Sequence, residues 1–530
     1  MGLRRPGGFV LHAWRHAKTR ALGRSRASHA LVGYVRRHML REPTSVIRER
    51  LAREVGRIDK QAPNAIALAY PSPYRTGMSS LGFLQIYKIL QAEPGLACER
   101  FFLPDEADGT KIAPVGYEQH RALSDFSLIA LSVAYELELA GVVQMLEASG
   151  IPSLREERGR EHPFVLAGGP LSFSNPLPLA AYADAIIMGE AEELVVPAVH
   201  AALGSSSKAE ALKRLAEIPH VFVPELHGAS MPTVARADTR FLPAWAPIRT
   251  PDTELSNMFL IETERGCSRS CTYCVMRRST NGGMRLVPKD TILSLVPDDA
   301  PKVGLVGAAV SDHPKIAEIV RELAARGKGV GLSSLRPDRL SDDFVGALRL
   351  GGYKTLTTAM DGPSERLRES LERRARIKHL ERAAELARAH GMKRLKLYLM
   401  LGLPTETDAD IDECIEFVGK LSTTIPVALG IAPFCAKRNT PLDGAEFAGI
   451  QVVDKRLDRL RRGLRGRADV RATSAKWAWA EYVLAQGGVA EGRAVRDAVL
   501  SGGSFSAYKA AFARVAASKP QRRSLAIAPF

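Results

Sequence analysis

The 530-residue chain contains no run of eighteen apolar residues, so its sequence offers no membrane-spanning helix. Cysteine is scarce. Six in so long a chain do not make a disulfide framework, and three of them, Cys98, Cys414 and Cys435, are scattered in the manner of small buried hydrophobes. Acidic residues are missing from the start: none precedes Glu42, while Arg4, Arg5, Arg15, Lys18, Arg20 and Arg24, among others, do. Part of the net charge of +16 is therefore local. Such a segment suits RNA or another anionic surface, imitates an Arg-rich transit peptide, or is simply a solvated basic extension. The rest is ordinary for a globular protein, 45% apolar and 25% charged, with length for two to four domains.

The other three cysteines stand together in Glu264-Arg265-Gly266-Cys267-Ser268-Arg269-Ser270-Cys271-Thr272-Tyr273-Cys274, at C-x3-C-x2-C spacing. The apolar run Met258–Ile261 before them reads as a strand, which puts the thiols on the loop beyond its carboxyl end. Three thiolates on one compact loop suit a cubane iron–sulfur cluster whose fourth iron is left open. Two other readings stand beside it, a zinc site completed by His313 or another residue, and three unrelated cysteines. An oxygen-sensitive cluster points to a reducing cytoplasm.

Residues 1–62 read as a basic helical extension. From 63 the pattern changes to short apolar strands, Ala65–Tyr70, Cys98–Leu103, Leu128–Val133, Phe164–Ala167 and Ala185–Met188, each followed by a helix. Nearly continuous apolar strands alternating with helices predict a doubly wound parallel sheet over 63–204, Rossmann-like, with its ligand site at the carboxyl ends of the strands. Residues 205–255 are polar and weakly patterned, a linker. Strand and helix alternate again over 256–445, with Val303–Gly307, Val330–Ser333, Thr355–Ala359, Arg394–Leu401 and Val427–Ala432 joining the first strand in six βα units. The remainder, 446–530, reads as a helical tail whose Trp477, Trp479 and Tyr482 share one face and serve as core.

The cysteine spacing, with Tyr273 just before the last thiol, resembles the signature of the radical SAM superfamily. The resemblance runs from residue 63 to about 515. It implies a partial (β/α)6 barrel and a [4Fe-4S] cluster on Cys267, Cys271 and Cys274. The open iron of that cluster would chelate S-adenosylmethionine, and one electron would release a 5′-deoxyadenosyl radical. By the same resemblance, Tyr273, Gly307, Ala308, Ser333, Arg336, Gly402 and Pro404 contact S-adenosylmethionine, with Arg336 on its carboxylate. Gly307-Ala308-Ala309 stands where relatives often carry Gly-Gly-Glu, so the acid is missing here. Thr405 is expected to cap the helix that follows. The segment from Pro433 resembles the barrel-closing stretch of the methylthiotransferase-like branch, which makes Cys435 a radical or methyl acceptor, or a packing residue.

The front half resembles the cobalamin-binding domain that precedes many radical SAM domains. Gly77-Met78-Ser79-Ser80-Leu81-Gly82 matches, residue for residue, a loop of an uncharacterised group of this cobalamin (B12) type. Carried over, the cobalamin positions are Gly77, Ser132, Gly168, Gly169, Gly189 and Glu190. No Asp-x-His-x-x-Gly follows the first strand, so no histidine is offered to cobalt, and the domain takes either cobalamin or a substrate. The function implied is cobalamin-dependent methylation, or another radical modification of an unactivated carbon, with a flavodoxin or ferredoxin as electron donor. Two alternatives stand. One is a methylthiotransferase-like tRNA modifier, although the front half lacks the cysteines for a second cluster. The other is a non-catalytic iron–sulfur sensor or RNA-binding protein. No stretch names the substrate.

Overall fold

The computed structural model describes residues 40–105, 112–276, 283–332 and 335–518; the basic stretch before residue 40, and Ser333 with Ser334, lie outside them. Six strands form the first sheet: β1 (Asn64–Pro73), β2 (Leu96–Leu103), β3 (Leu128–Ser132), β4 (Phe164–Gly168), β5 (Ala185–Ile187) and β6 (Val221–Phe222). Their order is β2-β1-β3-β4-β5-β6, parallel except for β6, which runs antiparallel to β5. Alternate residues face opposite sides, and both sides are buried. Ala67, Ala69, Ile129 and Leu131 enter one core, while Ile66, Leu68, Leu128 and Ala130 enter the other. The strand order reverses between β1 and β3, which opens a crevice at their carboxyl ends. Residues 205–255 hold more regular structure than their composition suggests. Ser207 caps the helix Lys208–Ala216, which buries Leu212 and Leu215, and β6 follows it.

Seven further strands are all parallel to their neighbours. β7 (Met258–Glu262), β8 (Lys302–Val306) and β9 (Gly329–Leu332) pair in the order β9-β8-β7. β10 (Thr355–Asp361), β11 (Arg394–Leu401), β12 (Val427–Pro433) and β13 (Ala468–Ala472) pair in chain order. β13 corrects the count of six, since it falls in the stretch read as helical tail. An edge strand carrying Asp469 and Arg471 lacks the apolar signal that betrays a central one. On β10 and β11 one face is buried under helices, through Leu356, Met360, Leu395, Leu397 and Leu399. The other face, with Ala359, Lys396, Tyr398 and Met400, stays partly accessible.

The carboxyl-terminal helices Ala475–Gln486, Val489–Leu500 and Phe505–Ser518 return to the first sheet. There Ala480, Leu484, Val495, Tyr508 and Phe512 complete the core that contains Ala67 and Ile129. Trp477 and Trp479 both meet Phe505 edge-on, whereas Tyr482 lies beside Phe447, so the three rings do not share a face. No helix among the described residues is long and apolar enough to cross a membrane.

Candidate functional site: a cysteine loop between two sheets

After β7 the short strand Glu264–Arg265 pairs antiparallel with Arg285–Leu286, and Gly266, at φ +96, turns the chain into the cysteine loop. The loop is held from several sides. The Thr272 amide donates to the Leu371 carbonyl (3.1 Å) and the Leu442 amide to the Thr272 carbonyl (3.2 Å). Ser268 donates to Asp312 (2.7 Å), and Arg269 pairs with Asp338 (2.6 Å). Cys271 is buried, Cys267 and Cys274 are half-buried, and all three are free of disulfides.

Burial pushes all three thiols up, Cys274 to about 11; neighbouring thiols add to the rise at Cys271 and Cys274, and Asp312 and Glu264 add to it at Cys267. A bound cationic metal centre would reverse this and draw them to thiolates. His313 offers no fourth donor. Its Nε2 donates to the Val287 carbonyl (2.9 Å), and its Nδ1 accepts the Lys315 amide (3.1 Å). Among the described residues no three His, Cys, Asp or Glu side chains are gathered tightly enough to enclose a single ion. Three thiols on one loop are the donor set that a cubane cluster with one open iron takes.

Arg336 is a correction to the sequence reading. It is 2% exposed, and its guanidinium is already held by Asp312 (2.6 Å) and Asp338 (2.8 Å), the two acids that pin Ser268 and Arg269. It braces the cysteine loop instead of offering a free charge to a carboxylate. The acid missing from Gly307-Ala308-Ala309 comes from elsewhere. Glu264, fully buried, accepts the Ala309 amide (2.6 Å), and a Cβ on Gly307 would lie 2.2 Å from its Oε1. Its Oε2 has no hydrogen-bond partner among the described residues, and burial pushes the carboxyl up to about 7.

Gly402 is left-handed (φ +81), and its amide and that of Leu403 donate to Glu406, which Arg456 holds in place (2.9 Å). Pro404 is half-buried beside them. Thr405 does not cap the next helix; it sits at φ +62, and Thr407 takes the N-cap position, bonded to Asp410 (2.7 and 2.8 Å).

Sequence reasoning missed Arg373. It forms an ion pair with Asp361, bonds Cys271, and is flanked by Glu372 (φ +52) and Arg374 (φ +59) in the left-handed region that such residues seldom enter. Asp361, itself at φ +66, also accepts the Tyr273 hydroxyl. Within the basic run Arg373-Arg374-Ala375-Arg376 nothing marks one arginine as different.

At the mouth of the first sheet the six positions assigned to cobalamin divide. A Cβ on Gly77 would lie 2.4 Å from the Phe102 ring, and one on Gly189 would lie 2.6 Å from the Ala235 backbone, so both glycines serve packing. Glu190 is engaged by Arg265 (3.2 Å) and Arg285, and Glu192 also takes Arg265 (2.7 Å). The Gly-Glu-Ala-Glu loop therefore latches onto the root of the cysteine loop. Ser132, Gly168 and Gly169 are half-buried at the ends of β3 and β4. Gly169 (φ +106) presses on Val133, while a Cβ on Gly168 would meet nothing nearer than Ile187 at 3.8 Å. The residues present fit a corrin at this one edge only. Beyond it, Asn175 donates to the carbonyls of Leu484, Ala485 and Gly487 and ends the helix Ala475–Gln486, which closes off the adjoining space.

A seam joins this mouth to the barrel-closing segment. Lys437 bridges Glu136, on the turn after β3, and Glu481 (2.6 and 2.7 Å), and Asn439 donates to the Ser174 carbonyl (2.5 Å). Cys435 donates to the Ala478 carbonyl (3.1 Å), and burial raises its thiol far above its ordinary value. A neutral, engaged thiol is a poor nucleophile, which disfavours polar methyl transfer to Cys435 and does not bear on a radical role.

Fold and site together define an α/β protein of mostly parallel sheets, with a three-thiol loop at the carboxyl end of the first strand of its second half. The family model described as radical SAM proteins, N-terminal, matches residues 82–224, and that described as radical SAM superfamily matches 261–418. The chain carries radical SAM domains, and enzymes of that superfamily hold a [4Fe-4S] cluster, use S-adenosylmethionine and need an electron donor. An uncharacterised protein of Methanocaldococcus jannaschii is 27% identical over 391 residues, 72% of this chain and 80% of that one. The ribosomal protein uS12 methylthiotransferase RimO of Kineococcus radiotolerans is 25% identical over 390 residues, 69% and 76% of the two chains. Among solved structures, the cobalamin-dependent S-adenosylmethionine radical enzyme OxsB, with aqua-cobalamin and S-adenosylmethionine bound, superposes at a TM-score of 0.50 and 14% identity. That match covers 77% of this chain and 56% of OxsB, a likeness of fold.

Proposed function

We propose that the chain cleaves S-adenosylmethionine reductively at a [4Fe-4S] cluster on Cys267, Cys271 and Cys274, and directs the resulting radical at an unactivated carbon of a substrate held between the two mouths. The observation that carries this reading is the cysteine loop: three half-buried or buried thiols with no fourth donor from His313. Bound there, the cluster supplies the single electron and an open iron. The protein's share is orientation. Asp312, Asp338 and Arg336 fix the loop, Arg373 brings a positive charge to Cys271, and Tyr273 is held by Asp361. Gly307, Ala308, Gly402 and Pro404 supply backbone at the strand ends where S-adenosylmethionine would lie. The Lys437 seam closes the gap to the first sheet and keeps water out.

Cobalamin-dependent methylation is the second reading. The accessible backbone at Gly168, together with the fold likeness to OxsB, favours it. Methylthiolation is weaker, because the front half, 63–204, holds one cysteine, Cys98, which is 2% exposed within β2. Anaerobic purification from cells grown with cobalamin, followed by assays for iron, sulfide and cobalt, separates these. Four irons and one cobalt per chain support methylation. Four irons without cobalt make the first sheet a substrate module. Fewer than three or four irons on a reconstituted chain would overturn the cluster assignment itself.

A further inference from the structure

Behind the cysteine loop lies a cavity of about 670 Å3, walled by Arg269 and by the segment from Glu365 to His379. That volume suits a ligand of nucleotide size. Arg368 lines it and is 1% exposed. Its guanidinium donates to the carbonyls of Ala375 (2.9 Å), Gly362 (3.2 Å) and Pro363 (3.3 Å), and its remaining terminal nitrogen, buried beneath the wall, has no hydrogen-bond partner among the described residues. Among the described residues no carboxylate forms an ion pair with it. Burial lowers the grip of Arg368 on its proton, and Glu413, Glu365 and Glu369 offset this only from a distance. Arg374, Arg376 and Lys378 stand exposed on the same wall, and among the described residues they too have no ion pair.

The acids on the wall are mostly engaged. Asp338 holds Arg269 and Arg336, Glu372 accepts from Ser270, and Glu365 accepts the Ile377 amide (3.4 Å); Glu369 alone faces solvent without a hydrogen bond or ion pair among the described residues. We propose that this cavity binds the phosphate group of a nucleotide-sized small molecule. Exposed guanidinium and ammonium groups lining one space supply the kind of donors a tetrahedral anion with several oxygens takes. None of these four cations has a part in the reductive cleavage described above. The wall is nevertheless coupled to that site, because Glu372 and Arg374 flank Arg373, which bonds Cys271. A phosphate held by Arg374 and Arg376 would stiffen this segment against the back of the cysteine loop, so the ligand acts on the cluster from outside the S-adenosylmethionine site.

The test is calorimetric titration of the anaerobic, cluster-loaded full chain with inorganic pyrophosphate, beside the triple variant R374A/R376A/K378A. Saturable one-to-one binding, weakened at least tenfold in the variant while cluster absorbance stays the same, is the expected result. A change in the electron paramagnetic resonance of the reduced cluster on adding pyrophosphate is expected in the parent alone. No saturable binding, or equal affinity in the variant, would overturn the proposal. A short RNA oligonucleotide that binds more tightly than pyrophosphate and is lost in the same variant would overturn its small-molecule class. Should the triple variant load its cluster poorly, Lys378→Ala, on exposed helix surface, gives the same comparison with a roughly threefold effect.

Discussion

At the carboxyl end of β7, groups from three separate segments converge on the cysteine loop: Asp312, Asp338, and the Leu371 carbonyl with Arg373. At the carboxyl ends of β1, β4 and β5 the residues of a supposed ligand cradle lean on protein. Gly77 meets Phe102, Gly169 meets Val133, and Glu190 meets Arg265 and Arg285. The difference lies in what kind of residue carries a motif. A cysteine triplet has few uses besides metal or disulfide chemistry, whereas a glycine is needed equally where a ligand or another part of the same chain comes close.

The comparison breaks most severely at the cysteines. Replacing Cys267, Cys271 or Cys274 by Ala should abolish the cluster's charge-transfer absorbance and all S-adenosylmethionine cleavage; an intact cluster in any one of them would dissolve the distinction between the two mouths. Next in size is Arg336→Ala, which removes the cation shared by Asp312 and Asp338 and leaves them Arg339 (3.3 Å) and Arg269 (2.6 Å) alone. Denaturant unfolding should report a loss of about 1–3 kcal/mol, with reduced iron content. Unchanged stability together with weaker S-adenosylmethionine binding would return Arg336 to the substrate carboxylate.

Two glycines sharpen the comparison from the other side. Gly77→Ala should lower stability by about 1–3 kcal/mol, because its Cβ must displace the Phe102 ring. Gly168→Ala should leave stability almost untouched, and any cobalt content should fall in this variant only. The reverse pattern, a stable Gly77→Ala that loses cobalt, would make the first mouth a cradle after all.

Glu264 gives the smallest effect, and one that depends on pH. Its carboxyl is pushed from an ordinary 4.5 to about 7, so the folded chain holds this proton more tightly than the unfolded chain. Stability should therefore fall as pH rises from 4.5 and level off above about 7, by at most about 3 kcal/mol. In Glu264→Gln that fall should vanish, so the variant should gain on the parent at pH 8 relative to pH 5. Parallel curves for the two proteins would mean that Glu264 is ionised at low cost.

Much of the fold was legible because its strands are short apolar runs between amphipathic helices, the pattern a sheet buried on both faces imposes on sequence. β13 was not, since an edge strand with Asp469 and Arg471 on its faces carries no such pattern. The return of the last three helices to the first sheet was also invisible; their apolar residues say that they pack but not against what. In the site, the thiols could be read from spacing. The supports could not. Arg373 is singled out by the backbone conformation of its two neighbours, and Arg336 by two acids that arrive from separate turns of the chain. Glu264 stands next to the cysteine motif, yet its service to Ala309, forty-five positions on, appears only when β7 and β8 lie side by side.

The most direct test is to reconstitute the full chain anaerobically, confirm four irons, add S-adenosylmethionine and dithionite, and measure 5′-deoxyadenosine and methionine. Formation of both in the parent, and of neither in Cys271→Ala, is the predicted result. A fully loaded, reducible cluster that yields no 5′-deoxyadenosine would contradict the account and leave a cluster-bearing protein without radical chemistry.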